Sequence, residues 1–186
     1  MAVVAAPLAL GLPAPFHPVH IVILELFMDV GASVAFVSEP PAPGAMDHPP
    51  RDPARRFLDD TQLSAITLTA AALTIAVLPA FLLVHARWGT DMAIAAAVAA
   101  WLVANVAIAW CLRARPGLSW RRNVAFPAWA LVAVASAAAL SLTPAGATLG
   151  TEPLAVGAAG ITAAVAVAGV AVAVGGRVVL SLSGHL

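Results

Sequence analysis

Apolar residues fall in five long runs separated by short polar or proline-rich segments: Val19–Ser38, Leu63–Val84, Met92–Leu112, Val124–Leu142 and Leu154–Gly175. A helix needs about 20 mainly apolar residues to cross a hydrocarbon core of about 30 Å. The pattern therefore predicts an all-α fold, a polytopic transmembrane helical bundle with five full spans. A further apolar run, Ala2–Leu12, covers only about 16 Å at 1.5 Å per residue. No Lys or Arg precedes it, as the start of a secretory leader requires. It reads as an N-terminal half helix, followed by a turn at Gly11–Pro18. The last two runs are so rich in Ala, Val and Gly that close helix–helix packing is expected of them.

Composition agrees with that reading. Of the 186 residues, 62% are apolar and 10% charged, where a soluble domain carries about a quarter charged. Nine Arg balance nine Asp and Glu, Lys is absent, and the mean hydropathy is +0.97. No net field is available to hold a nucleic acid. The lone Cys111 excludes a disulfide framework or a Cys-based zinc site.

The basic residues are distributed unevenly. Arg51, Arg55, Arg56, Arg113, Arg115, Arg121, Arg122 and Arg177 fall on one side if the helices alternate, and Arg87 alone on the other. The positive-inside rule then predicts a cytoplasmic C-terminus in a multi-pass protein of the cell membrane. The largest connecting segment, 39–62, carries Pro40, Pro41, Pro43, Pro49, Pro50 and Pro53. Each fixes φ and removes an amide donor, so this cytoplasmic loop is expected to be extended rather than helical.

Two acids stand in the middle of the first span. Glu25 and Asp29 are four residues apart, a spacing that puts side chains on one helix face about 5–6 Å from each other. An acid at mid-bilayer costs about 2.5–3.5 kcal/mol on the insertion scale. Two so close require a counter-cation or a strongly raised pKa. Both are expected to face a protein-lined cavity as oxygen ligands for a transported cation. Ca²⁺, Mg²⁺, Mn²⁺ and H⁺ all remain open. Gly31 and Ser33 are placed to loosen that helix and to add a hydroxyl. Asn105 in the third span is either a weaker ligand or an interhelical hydrogen-bonding group, the second being favoured. Thr67, Thr69 and Thr74 are expected to bond their own helix carbonyls. His17 and His20 read as interfacial histidines rather than a metal pair. Among the tryptophans, Trp88, Trp110, Trp120 and Trp129 fit an aromatic belt, and Trp101 sits deeper as packing. No phosphate-binding loop, dinucleotide fingerprint or nucleophile elbow occurs. These residues are therefore expected to have no ATPase activity alone and no cofactor of their own.

The stretch Pro18–Arg51, PVHIVILELFMDVGASVAFVSEPPAPGAMDHPPR, resembles the sixth transmembrane helix and following loop of bacterial type II cation-transporting P-type ATPases. The resemblance is carried without a gap by Pro18-Val19, Glu25, Met28-Asp29, Pro40-Pro41 and Met46-Asp47-His48-Pro49-Pro50-Arg51. Upstream, Leu10-Gly11-Leu12-Pro13 looks like the end of the fifth helix. The four later spans correspond to the seventh to tenth mainly by count and loop length. The resemblance implies that residues 1–186 form a P-type ATPase C-terminal membrane domain, with residues 1–12 as the stub of the fifth helix. It also implies that Glu25 and Asp29 are ion-site ligands and that Asp47, Arg51 and Asp52 contact the phosphorylation domain.

Three positions depart from the family's pattern. Met28 stands for a hydroxyl ligand, Trp101 for an acid of the eighth helix, and Val30-Gly31-Ala32 for an unwinding Gly-Leu-Pro. The phosphorylated Asp-Lys-Thr-Gly and the nucleotide and actuator domains lie outside these residues. A fragment, split subunit or gene remnant working with the missing N-terminal part of a pump is the expectation, with the lipid bilayer as its other partner. The alternative is a stand-alone small membrane protein, either a proton or cation carrier or an assembly scaffold.

Overall fold

In the computed structural model of the chain, residues 2–41, 47, 58, 60–112 and 123–182 are described; the side chains of 28, 29, 61 and 179–182 are not. Among the described residues there is no strand, and five of the helices are long and apolar enough to cross a membrane. This is a multi-pass membrane protein. A short helix, α1 (Ala2–Ala9), precedes α2 (Pro18–Val37), α3 (Asp60–Trp88), α4 (Thr90–Leu112), α5 (Ala125–Leu142) and α6 (Val156–Leu182).

The turns explain where the helices stop. After α1, Gly11 takes φ +73°, Leu12 N–H reaches the Pro7 carbonyl at 2.9 Å and Gly11 N–H the Leu8 carbonyl at 3.0 Å. This is a Schellman closure, which asks for the left-handed conformation that glycine adopts without strain. The sequence suggests an apolar run to Leu12, and the structure ends the helix at Ala9 for this reason. A single residue, Gly89 at φ +90°, joins α3 to α4. Between α5 and α6, a short 3₁₀ turn over Pro144–Leu149 ends at Gly150. The Thr151 hydroxyl donates to the Leu140 carbonyl at 2.9 Å, and Leu154 N–H to the Ser141 carbonyl at 2.7 Å.

Helix α4 is the centre of the bundle. Within the chain, 67% of its span is buried, against 25–28% for the other four. Ala93, Ile94, Ala96, Ala97, Val98 and Leu102 of α4 meet Ala72, Ala76, Val77, Phe81 and Val84 of α3 in one core. The small residues of α6 do what their composition predicts. A β-carbon on Gly169 would stand 2.5 Å from the Ala72 carbonyl oxygen, so α6 crosses α3 with backbones nearly touching. Helix α2 lies at the edge and rests on α5. That edge position is what exposes the acidic helix.

Candidate functional site

Helix α2 begins at Pro18, whose fixed φ suits the first helical position. The His17 N–H donates to His20 Nδ1 at 3.2 Å. The two imidazoles stack, with centroids 5.3 Å apart and planes at 11°, and His20 is buried. His17 lies against Gly150 of the α5–α6 turn, so the start of the acidic helix is fixed to the far hairpin. These histidines act as packing and capping groups, with His20 Nδ1 already engaged.

Between Leu26 and Ala32 the helix widens to the π form, in which N–H groups reach back five residues rather than four. Glu25 is the last residue before this wide turn, and the Asp29 backbone lies in its middle. Gly31 belongs to the same turn. A π-turn inside an α-helix is uncommon and often marks a functional site. The sequence points to Gly31 as a loosening residue but not to the form the loosening takes.

Asn123, just before α5, and Trp129 of α5 grip this segment. The Trp129 indole N–H donates to the Phe27 carbonyl at 2.9 Å. The Asn123 side-chain amide donates to the Ala35 carbonyl at 2.8 Å, while its oxygen accepts the Phe126 N–H at 3.0 Å and so caps α5. Phe126 is fully buried and meets Phe36, Trp110 and Trp129 edge to face, with centroids 5.4–5.8 Å apart. The aromatic-belt expectation for Trp129 is corrected here: it is 7% exposed and its N–H is spent on helix α2. Neither Asn123 nor Trp129 is singled out by sequence reasoning, because a loop-end Asn and a helix-end Trp both have ordinary explanations.

The expected ligands divide as follows. Glu25 is exposed. The buried stripe of α2 runs through His20, Leu24, Ala32 and Ala35, and the turn of about 100° from Leu24 to Glu25 carries the carboxylate off that face. The groove beside the π-turn has a volume of ≈ 470 Å³ and is apolar, bordered by Leu26, Val30 and Val34 on one wall and Ala128, Trp129 and Val132 on the other. The Met28 and Asp29 side chains lie outside the described residues. Ser33 is exposed, and the Asn105 amide donates to the Trp101 carbonyl of its own helix at 2.9 Å rather than across to a neighbour. Among the described residues, no three His, Cys, Asp or Glu side chains come together as a metal-holding group. Thr67, Thr69 and Thr74 each donate to the carbonyl four residues back, at 2.8 Å. Asp47 is exposed; Arg51, Asp52, Arg55 and Arg56 lie outside the described residues.

Residues 13–178 match the family model described as cation transporting ATPase, C-terminus. The chain belongs to this family. No curated protein and no solved structure matches it. Membership makes the protein the C-terminal membrane part of a cation-transporting P-type ATPase, and the matched residues include Glu25, the π-turn with Asp29, Asn123 and Trp129.

Proposed function

We propose that this chain supplies half of an intramembrane cation site, together with a helical scaffold, to a type II cation-transporting P-type ATPase of the cell membrane. Glu25 and Asp29 are the oxygen ligands, and α3 to α6 are the scaffold. The C-terminus and the proline-rich loop lie in the cytoplasm, where Asp47, Arg51 and Asp52 meet the phosphorylation domain. The chain has no ATPase activity alone and carries a cation only with the preceding part of a pump. The transported ion is Ca²⁺, Mg²⁺, Mn²⁺ or H⁺; carboxylates suit all four.

One observation carries this reading. Glu25 lies on the exposed face of the edge helix, within a segment long and apolar enough to cross a membrane and immediately before a π-turn. A stand-alone carrier has to surround its own charge, because lipid offers it nothing. An acid displayed on an uncovered face suits a site completed by other helices, so the exposure of Glu25 favours the pump over the carrier. The test is co-expression with a pump segment ending in the first half of the fifth helix, followed by ATP-driven cation uptake into inverted vesicles. Uptake that requires both pieces and is lost in Glu25→Ala and Asp29→Ala supports the proposal. Uptake by this chain without the other piece would instead establish the carrier.

A further inference from the structure

Trp129 of α5 and Asn123 just before it reach across to α2, one within the wide turn and one beyond it. Trp129 donates to the carbonyl of Phe27, at the start of the π segment, and Asn123 to that of Ala35, three residues beyond its end. Both accept positions are backbone carbonyls, so the grip fixes the course of the main chain. Both donors are held firmly. Asn123 is 2% exposed and tied to the Phe126 N–H, and Trp129 is wedged against the fully buried Phe126 ring. The indole also fills the space over Gly31, where a β-carbon would stand 2.5 Å from Cδ1 and 2.8 Å from Nε1.

An isolated π-turn costs free energy relative to a continuous α-helix, and it persists where its surroundings hold it. Here the surroundings are identifiable. The indole N–H takes up a carbonyl within the widened turn, and the missing side chain at position 31 lets the ring approach closely enough to do so. Returning the segment to a regular α-helix would rotate everything C-terminal to the turn relative to Glu25. The angle between the Glu25 and Asp29 positions therefore depends on whether the turn stays open.

We propose that Trp129 is a positioning residue for the Glu25/Asp29 site, acting with Asn123 as a two-point clamp that holds the π-turn open. This rests on the reading of those acids as cation ligands. Trp129 touches no cation in this role; it sets the backbone from which Asp29 projects.

The experiment uses the chain co-reconstituted in lipid nanodiscs with a pump segment ending in the first half of the fifth helix, with two readouts, amide hydrogen exchange over Leu26–Ala32 and Mn²⁺ affinity by electron paramagnetic resonance. Trp129→Phe keeps a ring over Gly31 and removes only the N–H. Trp101→Phe, which alters an indole packed on the α3–α4 core rather than around Phe126, is the control. The clamp predicts that Trp129→Phe raises exchange in this segment by about fivefold, the size of one net hydrogen bond, and weakens Mn²⁺ by a similar factor. In a Glu25→Gln background, Trp129→Phe should have no further effect on Mn²⁺. A purely structural role would leave affinity unmoved while lowering thermal stability equally in both Trp variants, and that result overturns the proposal. Unchanged exchange with normal Glu25-dependent binding overturns the clamp alone. Absence of any Glu25-dependent Mn²⁺ binding in the unaltered complex overturns the site reading on which the role depends, whatever the exchange shows.

Discussion

Gly31 and Trp129 are fitted to each other across the α2–α5 interface so closely that a β-carbon on Gly31 would lie 2.5 Å from the indole Cδ1. The ring cannot retreat freely, because its N–H is bonded to the Phe27 carbonyl and its edge meets Phe126. A methyl at position 31 must therefore push α2 away from α5 or break the indole bond. Gly31→Ala is expected to destabilise the folded chain by about 1–3 kcal/mol, the usual cost of overpacking, although alanine is the better helix former. Reversible unfolding in mixed micelles measures this; a stabilised Gly31→Ala chain would show that the interface is looser than described.

The crossing of α3 and α6 makes a similar prediction with a clearer control. At Gly169 an added β-carbon meets main chain, the Ala72 carbonyl oxygen at 2.5 Å, besides the Ala76 β-carbon at 2.7 Å. Backbone cannot move aside as a side chain can, so Gly169→Leu should separate the two helices and cost more than about 2 kcal/mol. Val167, two residues earlier on the same helix, is 68% exposed. Val167→Leu should change stability by less than about 0.5 kcal/mol. A Gly169→Leu chain as stable as Val167→Leu, read in the same unfolding assay, would mean that helix propensity outweighs the close approach.

The spans were legible in the sequence because apolar length is a one-dimensional property. A run of about 20 apolar residues has one stable outcome in a bilayer, and the small residues of α6 announce close packing in the same way. The acid pair was legible for the converse reason, since no apolar span carries Glu25 and Asp29 without cause. What surrounds Glu25 was not legible. Spacing places two residues on a common helix face, but whether that face meets a neighbour depends on the position of α2 in the bundle, and α2 is at the edge. Asn105 illustrates the same limit: an amide in a span has a choice between its own helix and the next, and it bonds to Trp101. Trp129 was hidden because its partner is a main-chain carbonyl 102 residues away, and a carbonyl leaves no mark in the amino-acid code.

The α5–α6 turn offers a third test. Gly146 is enclosed by the Thr151 hydroxyl and the Leu140 carbonyl, which are bonded to each other. Thr151→Val keeps the shape of the side chain and leaves the Leu140 carbonyl without that donor. It should cost about 1 kcal/mol if water reaches the vacated carbonyl and up to about 3 kcal/mol if it does not. Because His17 rests on Gly150 of the same turn, the loss should also be felt at the start of α2. Faster amide exchange at His20 and Ile21 in Thr151→Val is the expected readout, and unchanged exchange there would uncouple the hairpin from the acidic helix.

Glu25 carries the most direct conflict between stability and function. An exposed carboxylate on a span is unfavourable for the chain by itself, at about 2.5–3.5 kcal/mol on the insertion scale when it lies near the bilayer centre. Its replacement by an apolar residue should therefore stabilise the isolated chain, and Glu25→Leu is expected to insert and resist unfolding better by up to that amount. The same change removes a proposed oxygen ligand, so transport reconstituted with the rest of a pump should be abolished. Glu25→Gln separates charge from ligation: it keeps one oxygen, relieves much of the insertion cost, and should leave residual transport with a greatly raised cation requirement. Natural sequences keep a destabilising residue where it performs a task. A Glu25→Leu chain that is no more stable than the original, or that still supports transport, would remove the reason for regarding this acid as anything but a tolerated polar residue.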